Sequence, residues 1–217
     1  MHPYLAEIEK AINQIYQALD FYNQLLDDLE PPVMVATISE GQNLDSLTNQ
    51  WIQDNSEKIR ENIEKERKCF SHVSSKYILC GSLLQIAYMG IKLYGSQHQI
   101  PEQFLDVKPK TKESKKVFER FCYGREIRCV PIGLVVYAGR NQYNHYDSTK
   151  LSPANSKVFD MLSRKHGLPH CEKIIDPSFD LSNKSLQIYT SNIIAIMKWQ
   201  NNMIFFEDIN HLLNEVV

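Results

Sequence analysis

Glycine and proline are scarce in this chain of 217 residues, which contains 8 and 9 of them respectively. Long stretches of the chain show helical periodicity instead. Few turn-forming residues together with this periodicity argue against an all-β fold. A glycine-rich phosphate loop is also missing, because Gly133 and Gly139 lack the spacing and the following lysine of a P-loop. The sequence therefore favours helices and gives no support to a P-loop nucleotide-binding protein.

Disulfide, secretory and membrane signals are missing as well. The five cysteines make an odd number without paired spacing, which is typical of reduced thiols in the cytosol. The start, Met1-His2-Pro3-Tyr4, has no basic region followed by an apolar run, so it does not resemble a secretory signal. No stretch reaches the ~18 consecutive apolar residues expected of a membrane span. We expect a cytoplasmic protein that does not bind a membrane.

The net charge is only −2, so any anion-binding site must be local. One segment is locally basic, with Lys108, Lys110, Lys112, Lys115, Lys116, Arg120, Arg125 and Arg128. It has two interpretations. It is either the solvated face of a helix around Val117 and Phe118, or an electrostatic rim that holds an RNA backbone. On the second interpretation the candidate RNA-binding residues are Lys115, Lys116, Arg120 and Arg125.

Apolar residues recur at helical spacing over most of the chain. Helices are predicted over about 3–29, 132–147, 153–166, 181–199 and 204–215. Residues 44–94 are predicted to form either one long helix bent near Lys68 or two helices, and 96–112 a long polar connection. The simplest organisation is one all-helical domain over 1–217.

The residues that carry chemistry follow the apolar run Ile132–Ala138, as Arg140-Asn141-Gln142-Tyr143-Asn144-His145. Arginine supplies a permanent positive fork suited to phosphate, and histidine exchanges protons near neutral pH. On a helix Asn141 and His145 stack on one face, whereas Arg140 and His145 are about 140° apart. The structural alternative is a surface network in which Arg140 pairs with Asp147 or another acid.

This run resembles the R-N-x-x-x-H signature of the HEPN superfamily of small all-α domains, many of which are metal-independent ribonucleases in toxin–antitoxin and phage-defence systems. The resemblance implies an HEPN-like helical bundle with additional helices. It also implies a homodimer in which the Arg and His of both subunits line one cleft. The expected partners are RNA and a second copy of the chain, with an antitoxin protein as a further partner.

The resemblance also implies a role for each residue of the run. Arg140 would hold the scissile phosphate, His145 would transfer protons, and Asn141 would orient one of them. The products would be 2′,3′-cyclic phosphate and 5′-hydroxyl ends, with no metal or cofactor. Nearby candidates for RNA binding are Tyr143, Asn144 and Tyr146, although both tyrosines are equally suited to packing. The alternative function is a non-catalytic module that binds RNA, a nucleotide or another protein.

Two weaker patterns are typical of metal ligands. His166, His170 and Cys171 lie close together, but Gly167 and Pro169 separate them and no second cysteine pair exists. Cys69 and His72 share a helix face within an apolar pattern, so a place in the core is favoured for Cys69. We therefore predict no metal site.

Overall fold

The computed structural model describes residues 1–27, 44–147, 151–164, 175–183 and 188–214. These ranges are mostly helical, which confirms the all-α class. The helices are α1 (Pro3–Asp27), α2 (Leu44–Asp54), α3 (Ser56–Tyr94), α4 (Lys112–Glu119), α5 (Ile132–Asn144), α6 (Pro153–Arg164), α7 (Thr190–Ile196) and α8 (Asn202–Asn214), with a 3₁₀ helix, η1 (Glu102–Val107). Two short antiparallel strands, β1 (Glu126–Ile127) and β2 (Val130–Pro131), form a hairpin that the helical pattern does not predict.

The chain forms two compact units, one of Met1–Tyr16 with Tyr77–Val217 and the other of Gln17–Lys76. The division passes along α1 and α3, which each contribute to both units. The run that begins at Arg140 lies in the first unit. All of the site contacts described below are made within that unit.

Residues 44–94 form two helices, and the break between them is at Asn55 rather than near Lys68. The Asn55 side-chain nitrogen donates to the Trp51 carbonyl at 2.9 Å, and the Asn55 carbonyl accepts from the Ile59 amide at 2.9 Å. Asparagine competes for backbone hydrogen bonds in this way and is a favoured first residue of a helix. The mixed charges near Lys68 do not interrupt α3.

The segment Val73–Tyr94 of α3 is long and apolar enough to cross a membrane, judged by length and composition alone. The expectation that no such stretch exists is therefore wrong. About 44% of the segment is buried in the fold, and a core helix of a soluble protein passes the same test. Residues Leu83, Leu84, Ala87 and Ile91 of this segment are fully buried.

Helix α5 is the buried centre of the first unit. The apolar run that could form either a strand or a helix is helical, and all its residues from Ile132 to Gly139 are buried except Tyr137. Position 133 has no room for a side chain, because a Cβ atom added to Gly133 would lie 3.0 Å from the carbonyl carbon of Phe121, a backbone atom. The preceding hairpin turns through Arg128 and Cys129, both with left-handed φ angles of 50° and 65°.

Two predicted segments differ from the structure. The polar connection 96–112 contains η1, because Phe104 is buried there and anchors the chain. The predicted helix 181–199 is helical only over Thr190–Ile196 in the described residues. After this helix, Lys198 adopts a left-handed φ angle. The amide of the next residue, Trp199, donates back to the Ile194 carbonyl at 2.9 Å, which closes the end of the helix.

Some predictions concern residues outside the described ranges. They include the end of the first predicted helix at 28–29 and the possible ligands His166, His170 and Cys171. The side chains of Cys69 and His72 are also outside the described part of the chain. The structure describes the side chains of Cys80, Cys122 and Cys129, and none of these three forms a disulfide.

Candidate functional site

The motif lies where α5 leaves the core. Helix α5 ends at Asn144, three residues before the predicted end at 147. His145 has a non-helical φ of −129°, and its amide bonds to the Gln142 carbonyl at 3.2 Å, a tightened last turn. Residues 144–147 are all exposed, so no packing holds them in a further helical turn.

Arg140 is only partly exposed, and α3 holds it in place. Its Nε atom donates to Oε1 of Gln85 at 2.9 Å, and its guanidinium carbon lies 4.5 Å from the ring centre of Tyr88. A guanidinium over an aromatic face is attracted by the ring quadrupole. Gln85 and Tyr88 are therefore parts of the site that the sequence analysis did not identify.

Two asparagines of α5 complete the support of Arg140. With its amide oxygen turned toward Arg140, Asn144 accepts from Nε and Nη2 at 3.0 Å. Nη1 donates to Oδ1 of Asn141 at 3.2 Å. A guanidinium has five N–H groups, and these contacts use one on each of its three nitrogens. One N–H on each terminal nitrogen therefore has no acceptor among the described residues.

Asn141 also connects Arg140 to Tyr137, a partly buried tyrosine of α5. Burial raises the pKa of the Tyr137 hydroxyl, with a smaller contribution from Tyr88, and a hydrogen bond from Asn141 opposes this shift. The Asn141 side chain thus interacts with both Arg140 and Tyr137.

The positive charge of Arg140 is not neutralised within the described residues. No ion pair there involves Arg140, and in particular none joins it to Asp147. Two other arginines of the same unit differ in this respect. Arg125 pairs with Asp208 at 2.8 Å, and Arg128 pairs with Asp176 at 2.8 Å. Arg140 is held by amides and an aromatic ring, so its charge remains available to an anion.

The structure separates the aromatic candidates of the motif. Tyr143 packs on α3 so closely that a Cβ atom at Gly81 would lie 2.5 Å from its ring. Tyr146 is 57% exposed and His145 is exposed beside it. Tyr143 therefore fits the packing interpretation, and Tyr146 keeps a free surface for a base.

The basic candidates occupy three environments. Lys115 and Lys116 are exposed on α4, where Lys115 pairs with Glu119 at 3.6 Å. Arg120 donates from Nη1 to the Lys92 carbonyl near the end of α3. Arg125 binds both carboxylate oxygens of Asp208 and lines a separate groove of about 1070 Å³ beside α8. We leave Arg125 out of the proposed site.

No family model, no curated protein and no solved structure matches the chain. No group of three or more metal-ligating side chains occurs in the part of the chain that the structure describes. The motif and its surroundings in the first unit are therefore what point to a function.

Proposed function

We propose that the chain is a metal-independent endoribonuclease of the HEPN type in which Arg140 and His145 carry the reaction. One observation carries the proposal. Arg140 is a partly buried arginine with no carboxylate partner among the described residues, and two of its N–H groups are free to donate. Two N–H donors on a planar cation are suited to the oxygens of a phosphodiester.

The reaction would proceed by attack of the RNA 2′-hydroxyl on its own phosphorus. The bond to the 5′-oxygen breaks as the new P–O bond forms, which leaves a 2′,3′-cyclic phosphate and a 5′-hydroxyl. His145 takes the proton from the 2′-hydroxyl or gives one to the departing 5′-oxygen. Arg140 stabilises the charge that develops on the phosphate oxygens.

A second copy of the chain would supply the other proton-transfer group. The surface that supports this dimer is on α3, where Ile78 and Leu93 are each 57% exposed and Met89 is 45% exposed. Met89 and Leu93 follow Ile78 by eleven and fifteen residues, so the three side chains fall on one helix face. Gln85, which holds Arg140, lies in the same stretch of α3. A pair of chains joined along this face would bring two Arg140 side chains near each other.

The test is cleavage of total RNA in the presence of EDTA. The wild-type chain should produce cyclic-phosphate ends. His145→Ala should cut about 10²-fold or more slowly, and Arg140→Gln should lose a similar factor. His211→Ala is the matched control, because His211 is also an exposed histidine of the first unit but lies on α8. It should cut at the wild-type rate.

Equal cleavage by the wild type and His145→Ala, or cleavage by neither, would contradict the ribonuclease proposal. Binding of RNA without cleavage would instead select the non-catalytic RNA-binding module. Both outcomes are readable from one gel and one binding titration of the same preparations.

A further inference from the structure

We infer that the RNA site extends along α3 to a second phosphate position at Arg120 and Lys92, about three nucleotides from the phosphate at Arg140. The inference rests on the proposed function. It specifies the substrate as an RNA strand that continues for about three nucleotides to one side of the cut.

The first step is that Arg140 and Arg120 both reach the same side of α3. Arg140 contacts Gln85 and Tyr88, and Arg120 contacts the carbonyl of Lys92. The side chains of Gln85, Tyr88 and Lys92 are spaced by three and by seven residues, the spacing of one helix face. The ring of Phe121, the residue after Arg120, stacks on Tyr88 with 4.9 Å between ring centres, which ties the end of α4 to the same face.

The second step is that Arg120 is not neutralised either. No ion pair involving Arg120 occurs among the described residues, and its neighbour Glu119 pairs with Lys115. Its bond to the Lys92 carbonyl is typical of a cation at the C-terminal end of a helix. The side chain of Lys92 is exposed at the same place and adds a second cation.

The third step is the distance between the two positions. Seven residues separate Gln85 from Lys92, which is a rise of about 10 Å along α3. A stacked strand rises about 3.4 Å per nucleotide, so the two cationic positions are about three nucleotides apart. Arg125 and Arg128 do not offer an alternative path for the RNA backbone, because each is paired with a carboxylate, Asp208 and Asp176 respectively.

The experiment measures binding of single-stranded oligoadenylates of increasing length, whose bases stack, to the His145→Ala protein, which keeps the RNA intact. The salt dependence reports the number of phosphates contacted, at about 0.7 in slope for each phosphate of a single strand. Arg120→Gln should lower the slope by about 0.7, whereas Arg120→Lys should retain it. Arg120→Lys keeps a cationic donor near the Lys92 carbonyl, so it controls for loss of that contact.

Oligonucleotide length supplies an independent readout. The affinity of the His145→Ala protein should rise stepwise once the strand is long enough to span both positions, and this step should be absent after Arg120→Gln. Arg164→Gln is the matched control. It removes an exposed arginine on α6, and its slope and its step in affinity should equal those of the parent.

The outcomes separate the two proposals. If Arg120→Gln changes neither the salt slope nor the step in affinity, while Arg140→Gln lowers the salt slope, the second phosphate position is overturned. The proposed function then stays intact. Absence of salt-dependent RNA binding in the parent overturns the proposed function, and the second position with it.

Discussion

Replacing Gln85 by glutamate tests whether the charge of Arg140 is available to an anion. Oε1 of Gln85 accepts a hydrogen bond from Nε of Arg140 at 2.9 Å. Glutamate has nearly the same shape and can accept the same bond, but it adds a negative charge. Gln85→Glu would therefore convert Arg140 into a paired arginine like Arg125, which binds Asp208 at 2.8 Å.

The expected size of the effect follows from electrostatics across the guanidinium. Two like charges about 7 Å apart repel by about 2 kcal/mol at an effective dielectric constant of about 20. Arg140 is partly exposed, so solvent screening reduces this value, and we expect about 1 kcal/mol. That energy corresponds to an RNA dissociation constant about fivefold higher.

The assay is fluorescence anisotropy with a labelled oligouridylate at low salt, in the His145→Ala background. Gln85→Met is the control, because it removes the acceptor and adds no charge. Its affinity should stay near that of the parent. The gap between the parent and Gln85→Glu should close as the salt concentration rises, since screening weakens both the attraction and the repulsion.

The reasoning is refuted if Gln85→Glu binds RNA as tightly as the parent at low salt while circular dichroism shows it folded. The charge of Arg140 would then play no part in RNA binding, and its role would be to pack α5 against α3. A loss of affinity in Gln85→Met equal to that in Gln85→Glu would point to the hydrogen bond rather than the charge.

Two other predictions concern the packing of α5 and the sharing of the site. Gly133→Ala should lower the unfolding free energy by about 2 kcal/mol, because the new methyl group meets backbone atoms of Phe121 that cannot move aside. Gly139→Ala meets only terminal methyl groups of Ile193 and Leu84 and gains helix propensity, so urea denaturation should find it close to the wild type. A mixture of Arg140→Gln and His145→Ala chains should regain part of the RNA cleavage that each lacks alone, and no recovery would contradict a shared site.

The local part of the site is predictable from the sequence because it depends on short-range pattern. The run Ile132–Ala138 is apolar enough to be buried, and the polar residues after it must emerge at a surface. The structure agrees except at Gln142, which is buried and accepts a hydrogen bond from the Tyr189 amide at 3.3 Å. The helix ends earlier than predicted because exposed polar residues have no packing to extend it, and this balance is not visible in spacing alone.

The partners of each arginine are not predictable in this way. Gln85 is 55 positions from Arg140, and Asp208 is 83 positions from Arg125. Which cation meets a carboxylate depends on how α3 and α8 pack against the centre of the unit. The sequence analysis therefore grouped Arg125 with Arg120 as equivalent basic residues, although their environments differ.

The end of α5 also changes the argument for a second copy of the chain. On a continuous helix Arg140 and His145 point about 140° apart, and this separation is a reason to require a partner subunit. His145 lies just past the helix with a φ of −129°, so the helical phase does not fix the direction of its side chain. The case for a dimer consequently moves from the motif to the exposed apolar face of α3. Since that face adjoins Gln85, the same helix that positions Arg140 would also bring the two sites together.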